Sequence, residues 1–100
     1  MNAKIKRLWV KALRSGKYRQ AEGILRNRSG SMCCLGVLCK IQGIDWRTVE
    51  GNLFTSNIPH QFNAGLRKKQ RDMLANMNDG NRGFKRHTFS EIADYIAKNL

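Results

Sequence analysis

Residues 33–41 have the sequence CCLGVLCKI, and this nearly apolar run decides the fold. Gly43 follows it as a helix stop, so the run predicts a short buried helix rather than a strand. We expect this helix to form the centre of the core. The three cysteines of the run, Cys33, Cys34 and Cys39, are a poor disulfide framework and indicate buried thiols of the kind found in a reducing cytosol.

The N-terminal segment predicts an amphipathic helix over residues 2–15, because its apolar side chains recur with helical spacing and Gly16 can end it. Lys4, Arg7, Lys11 and Arg14 fall on one stripe opposite the apolar face. Like charges at this spacing cost an isolated helix about 0.2 to 0.5 kcal/mol per pair. An anionic partner would explain the stripe, and long side chains spreading into water would explain it equally well.

The segment between these helices predicts a β-hairpin, with strands at residues 23–26 and 31–33 and a turn at 27–30. Nine of the nineteen lysines and arginines lie in the first 28 positions, against one acid, Glu22. The positive charge is therefore concentrated at the N-terminal end of the chain.

The second half of the chain predicts two more helices. One includes residues 67–76, follows Pro59 and ends near Asn78; a turn at 79–83 comes next. The last helix begins at a Thr88-x-x-Glu91 capping box. Between residues 44 and 57 the spacing is irregular, and the apolar anchors there are Trp46, Val49, Leu53 and Phe54.

Together these elements predict the α+β class: a small, mostly helical single domain over residues 1–100, with one short β-hairpin. A hydrophobic content of 41% suffices for a modest core. No apolar run has the roughly 18 residues of a membrane span, and lysines and arginines interrupt the N-terminal segment. We therefore expect neither a membrane span nor a signal peptide.

The formal net charge of +12 exceeds what solubility requires in a small domain and favours polyanionic partners. A basic surface that is merely solvated, an acidic protein or membrane lipid would also account for it. The candidate phosphate-binding residues come from the N-terminal helix and the segment after it. They are Lys4, Arg7, Lys11, Arg14, Lys17, Tyr18, Arg19, Arg26 and Arg28.

No catalytic residue, metal site or cofactor is predicted. The cysteines with His60 or His87 do not have zinc-ligand spacing. A Cys34–His87 nucleophilic pair is the formal catalytic alternative, but an apolar setting does not suit a reactive thiolate. The Ser15-Gly16-Lys17 segment follows a helix and lacks the phosphate-loop pattern. A helix-turn-helix in residues 74–100 would need a recognition helix after Leu100, so we expect the last helix to close the core.

Four stretches of this chain carry a resemblance: LWVKALRSGKYRQAEGILRN, CCLGVLC, LANMND and TFSEIADYI. They resemble a family of small, largely uncharacterised proteins encoded by tailed bacteriophages, over nearly the whole chain and in the same order. This chain departs from the family pattern in two places. Lys40 stands where an acidic residue is commoner, and the segment at residues 44–58 is shorter than in the family. The resemblance implies a phage product in the cytoplasm of a bacterial host and no particular activity.

The leading hypothesis is a non-enzymatic accessory protein that binds nucleic acid or a nucleotide immune signal, counters host defence or redirects host machinery. The alternative is an anti-CRISPR-like inhibitor of a host defence protein complex, with Trp46 and Phe54 as anchors. A small enzyme is the third hypothesis. The sequence leaves the oligomeric state undetermined.

Overall fold

The structure, a computed structural model, describes residues 1–48 and 58–100. These residues form four α-helices, which confirm the four helices predicted from the sequence. They are α1 (Ala3–Arg14), α2 (Cys34–Ile41), α3 (Lys68–Asp79) and α4 (Phe89–Asn99). Short 3-10 turns at Trp46–Thr48 and His60–Phe62 lie between α2 and α3.

Side-chain caps fix where the helices begin. The Asn2 Oδ1 atom accepts a hydrogen bond from the Ile5 N–H at 2.9 Å, which caps α1. At α4 the predicted capping box is confirmed. The Thr88 Oγ1 atom accepts from the Glu91 N–H at 3.2 Å, and Glu91 Oε1 accepts from the Thr88 N–H at 2.9 Å. The hydrogen bond from the Thr88 N–H lowers the pKa of the Glu91 carboxyl.

The predicted β-hairpin at residues 23–33 is wrong, and with it the α+β class. The described residues contain no strand, and Met32 makes only isolated bridges to Gln20 and Arg26. The Met32 N–H donates to the Arg19 carbonyl at 2.9 Å, so Met32 lies between two parts of the loop. The chain enters α2 directly afterwards, and no second strand has room to extend. The segment between α1 and α2 is therefore a folded loop within a helical domain.

This loop lies directly against α2 at Gly36. A Cβ atom at position 36 would overlap the carbonyl oxygen of Leu25 and lie 2.8 Å from its carbonyl carbon. It would also lie 3.0 Å from the Cβ atom of Met32. Leu25 and Met32 are both buried, so the absence of a side chain at Gly36 allows the loop to pack onto the helix.

Helix α2 lies at the centre of the core, as the sequence predicts. Its residues from Cys34 to Cys39 are all buried, and α1 and α3 pack against it while α4 packs against α1 and α3. The Trp9 indole is fully buried and donates from Nε1 to the Cys34 carbonyl at 2.9 Å, which fixes α1 on α2. Among the described residues, no helix has the length and apolar character needed to cross a membrane.

Candidate anion-binding groove

A groove lined by cations runs between α1 and α4. We call it the basic groove; its lining residues are Lys6, Arg7, Val10, Lys11, Arg14 and Ala97. Its volume is about 580 Å³, within the range of small-molecule sites. Val10 and Ala97 give it an apolar part beside the four positive side chains. Such a lining suits a ligand that carries both negative charge and apolar surface.

The period of α1 explains this arrangement. Trp9 and Leu13 are buried and hold one face of the helix against the core. Arg7, Lys11 and Arg14 then recur on the outer side, one turn after another. The structure thus brings together three of the predicted phosphate-binding residues in one groove.

Lys6 belongs to the groove but was not predicted from the sequence. It lies on the flank of α1, outside the stripe of cations, and is half-buried. Its role depends on α4 packing alongside α1, which brings Ala97 to the opposite wall. No periodic pattern within α1 carries that information.

An ion pair joins the two walls of the basic groove. The Arg14 Nη2 atom lies 2.7 Å from Asp94 Oδ1 of α4, and both side chains are largely exposed. An exposed pair of this kind contributes little to stability. Its effect on ligands is more direct, because the Asp94 carboxylate already occupies a guanidinium that an anion would otherwise bind.

A smaller depression lies on the other flank of α1. We call it the Tyr18 depression; its lining residues are Leu8, Lys11, Ala12, Ser15, Lys17 and Tyr18, and its volume is about 160 Å³. Among residues 1–48 and 58–100, Leu8 is a large apolar side chain that is left exposed, at 46%. Lys11 lines both cavities, so it forms the ridge between them.

The other predicted phosphate-binding residues line neither cavity. Lys4, Arg19 and Arg28 are exposed, the first on α1 and the other two on the loop between α1 and α2. The Arg26 guanidinium stacks over the Trp46 ring, 5.9 Å from its centroid. The predicted group of nine residues is therefore spread over more than one surface.

The protein–protein inhibitor alternative relies on two apolar anchors, Trp46 and Phe54. Trp46 is half-buried, packs against the core and is stacked by Arg26. Phe54 lies outside the described residues, and so do Val49 and Leu53, the other apolar anchors of the segment at residues 44–57. The alternative of a protein–protein inhibitor therefore stays a prediction.

The cysteines are buried thiols, as predicted. Burial raises the pKa of Cys34 well above its ordinary value, and Cys33 and Asp79 raise it further. The Cys34 Sγ–H donates to the Leu74 carbonyl at 3.7 Å. A thiol held protonated in this way is a poor nucleophile, so this environment does not favour a Cys34–His87 pair. In residues 1–48 and 58–100 no group of three acidic, His or Cys side chains is placed to hold a metal.

A buried polar network that the sequence does not predict joins three parts of the chain at Asn78. Its Oδ1 atom accepts from Gln20 Nε2 at 3.1 Å and from the Cys34 N–H at 3.0 Å. Its Nδ2 atom donates to the Ala21 carbonyl and to Asp79 Oδ1, both at 2.8 Å. The amide of Asn78 is therefore fully hydrogen-bonded in the core. We assign this network a structural role, because it fixes the loop, α2 and α3 to one another.

Residues 1–58 match a protein family described as a domain of unknown function, DUF8296. The chain belongs to the DUF8296 family. The matched region contains α1, α2 and the loop between them, so the DUF8296 part supplies every cation of the basic groove. Asp94 and Ala97 of α4 lie beyond it. No curated protein and no solved structure matches the chain.

Proposed function

We propose that this protein is a non-enzymatic accessory protein that binds phosphate-bearing ligands, either nucleic acid or a nucleotide signal, in the basic groove. The observation that carries the proposal is the convergence of Lys6, Arg7, Lys11 and Arg14 beside an apolar surface in one cavity. Phosphate groups pair with the cations, while a sugar or base contacts Val10 and Ala97.

The electrostatics of the whole chain support the same proposal. Several of the seven acidic residues already have cationic partners: Asp45 pairs with Arg47, Asp72 with Lys68 and Glu22 with Arg86. At the basic groove the counterion is Asp94, which pairs with Arg14. The field around α1 therefore stays positive and attracts polyanions.

The biological setting follows from the resemblance to tailed-phage proteins. A phage product that binds nucleic acid or a nucleotide immune signal in the bacterial cytoplasm would counter host defence or redirect host machinery. That setting is part of the proposal, and the binding experiment below tests its molecular basis.

The test is a titration of the protein with labelled DNA, labelled RNA and cyclic nucleotides over a range of salt concentrations. Nucleic-acid affinity should fall steeply between about 50 and 200 mM salt, because each phosphate contact releases counterions. Replacing Arg7 and Lys11 by Gln should lower the salt slope for a single strand by about 1.4, since each contact contributes about 0.7.

The matched control replaces Lys69 and Lys85 by Gln. Both side chains are exposed and lie outside the basic groove, and the change in net charge is the same. We expect this variant to keep the slope of the wild type. Absence of binding to every probe would overturn the proposal, and so would an equal loss in both double variants, since total charge alone would then explain the binding.

A further inference from the structure

The two cavities on α1 share Lys11, and this places them on either side of one ridge. On a helical wheel Val10 and Ala12 point to opposite flanks, with Lys11 between them. A ligand that occupies both cavities has to pass over the Lys11 side chain. The group that it presents at that point should therefore be negatively charged.

The Tyr18 depression differs from the basic groove in chemistry. It combines an exposed Leu8, a half-buried Tyr18 and the charge of Lys17. Its volume of about 160 Å³ is too small for a whole drug-sized ligand. It is suited to a single flat apolar group that contacts Leu8 and the Tyr18 ring, with an anion beside it.

We propose that single-stranded nucleic acid crosses α1, with one base in the Tyr18 depression, a phosphate at Lys11 and the following nucleotides in the basic groove. This inference rests on the proposed function and specifies its ligand class. Flat groups that alternate with phosphates are the repeating chemistry of a nucleic-acid strand, and stacking on aromatic side chains is the usual means of binding unpaired bases.

The dimensions favour a strand over a mononucleotide. A helix with its side chains is about 10–12 Å across, and a stacked strand advances about 3.4 Å per nucleotide. Roughly three nucleotides are therefore needed to reach from one flank of α1 to the other. A mononucleotide can fill one cavity only. In a duplex the bases are already stacked and paired, so none is available for the Tyr18 depression.

The first measurement is affinity against strand length, with thymidine and uridine oligonucleotides from the mononucleotide to about eight nucleotides. Affinity should rise steeply up to about three or four nucleotides and then level off. A duplex of the same length should bind more weakly than the single strand at equal salt.

The second measurement separates stacking from charge at Tyr18. Replacing Tyr18 by Leu keeps an apolar side chain but removes the ring, and should weaken binding of an eight-nucleotide strand about fivefold or more. Tyr18→Phe keeps the ring and should bind as the wild type does. Because Tyr18 also contacts the core, thermal unfolding of both variants is measured alongside.

Three results would overturn the inference. One is a mononucleotide that binds as tightly as the longer strands. Another is a Tyr18→Leu variant that is folded and binds normally. The third is polyglutamate that binds as tightly as the strand and responds in the same way to Tyr18→Leu, which would make an acidic protein the occupant. In the first two cases, continued loss of binding in the Arg7 and Lys11 double variant would leave the proposed function intact.

Discussion

Asn78→Ala tests whether the buried polar network fixes the loop and helices of this domain. The substitution removes the acceptor for the Cys34 N–H and the donor to the Ala21 carbonyl. Gln20 keeps a second acceptor in the His87 carbonyl at 2.8 Å. Two buried main-chain groups are therefore left unsatisfied, at about 1–3 kcal/mol each. We expect a loss of about 2–6 kcal/mol, a large part of the roughly 5–15 kcal/mol that stabilises a typical domain.

The assay is urea unfolding followed by far-UV circular dichroism. Asn76→Ala is the matched control, because Asn76 lies on the same helix and the substitution brings the same gain in helix propensity. Hydrogen exchange of the Cys34 amide is the local measurement: it should be slow in the wild type and fast in Asn78→Ala. A free energy of unfolding within about 1 kcal/mol of the Asn76→Ala value would refute the reasoning. If Asn78→Ala does not fold, Gln20→Ala, which removes only the partly buried hydrogen bonds to Asn78 and the His87 carbonyl, should fold and show a smaller loss.

Three further predictions concern packing, the basic groove and pH. Gly36→Ala should destabilise the protein by about 1–3 kcal/mol or more, because the new methyl group overlaps the Leu25 carbonyl; thermal unfolding close to that of the wild type would contradict the packing. Asp94→Asn should raise affinity for a single strand about fivefold by releasing Arg14, whereas Asp72→Asn, which breaks an ion pair of equal length on α3, should not. An equal rise in affinity in the two variants would mean that net charge alone determines the strength of binding. Burial raises the pKa of the Cys39 thiol from 9.0 to about 12. The thiol therefore loses its proton at a lower pH in the unfolded chain than in the folded protein, and the free energy of unfolding should decrease as the pH rises from 9.0 to about 12. Cys39→Ala should reduce this decline in urea unfolding measured across the same pH range, and an unchanged slope would exclude Cys39 as its source.

The sequence predicted those helices whose pattern of residues lies within one continuous segment of the chain. The apolar run at residues 33–41 predicted the central helix, and the spacing in residues 2–15 predicted α1 with its row of cations. The Thr88 and Glu91 pair predicted the start of α4, because a capping box is a local arrangement of main chain and side chain. These features depend on neighbours within about four residues along the chain.

The same local reasoning failed at the loop between α1 and α2. Turn residues between two short apolar segments are typical of a hairpin, and the sequence does not show that Met32 pairs on both sides. Nor does it show that Gly36 admits Leu25 to the surface of α2. Both facts arise from segments that are distant in sequence and pack closely in the folded protein.

The candidate site also combines features that the sequence predicts with features that depend on tertiary packing. The sequence by itself determined the charge of α1 and the face on which Arg7, Lys11 and Arg14 lie, because helical periodicity fixes both. Only the tertiary structure decided that α4 forms the second wall of the basic groove, that Asp94 neutralises Arg14, and that Lys6 joins the site. These are contacts between residues about eighty positions apart, and they form only when core packing brings the two helices together.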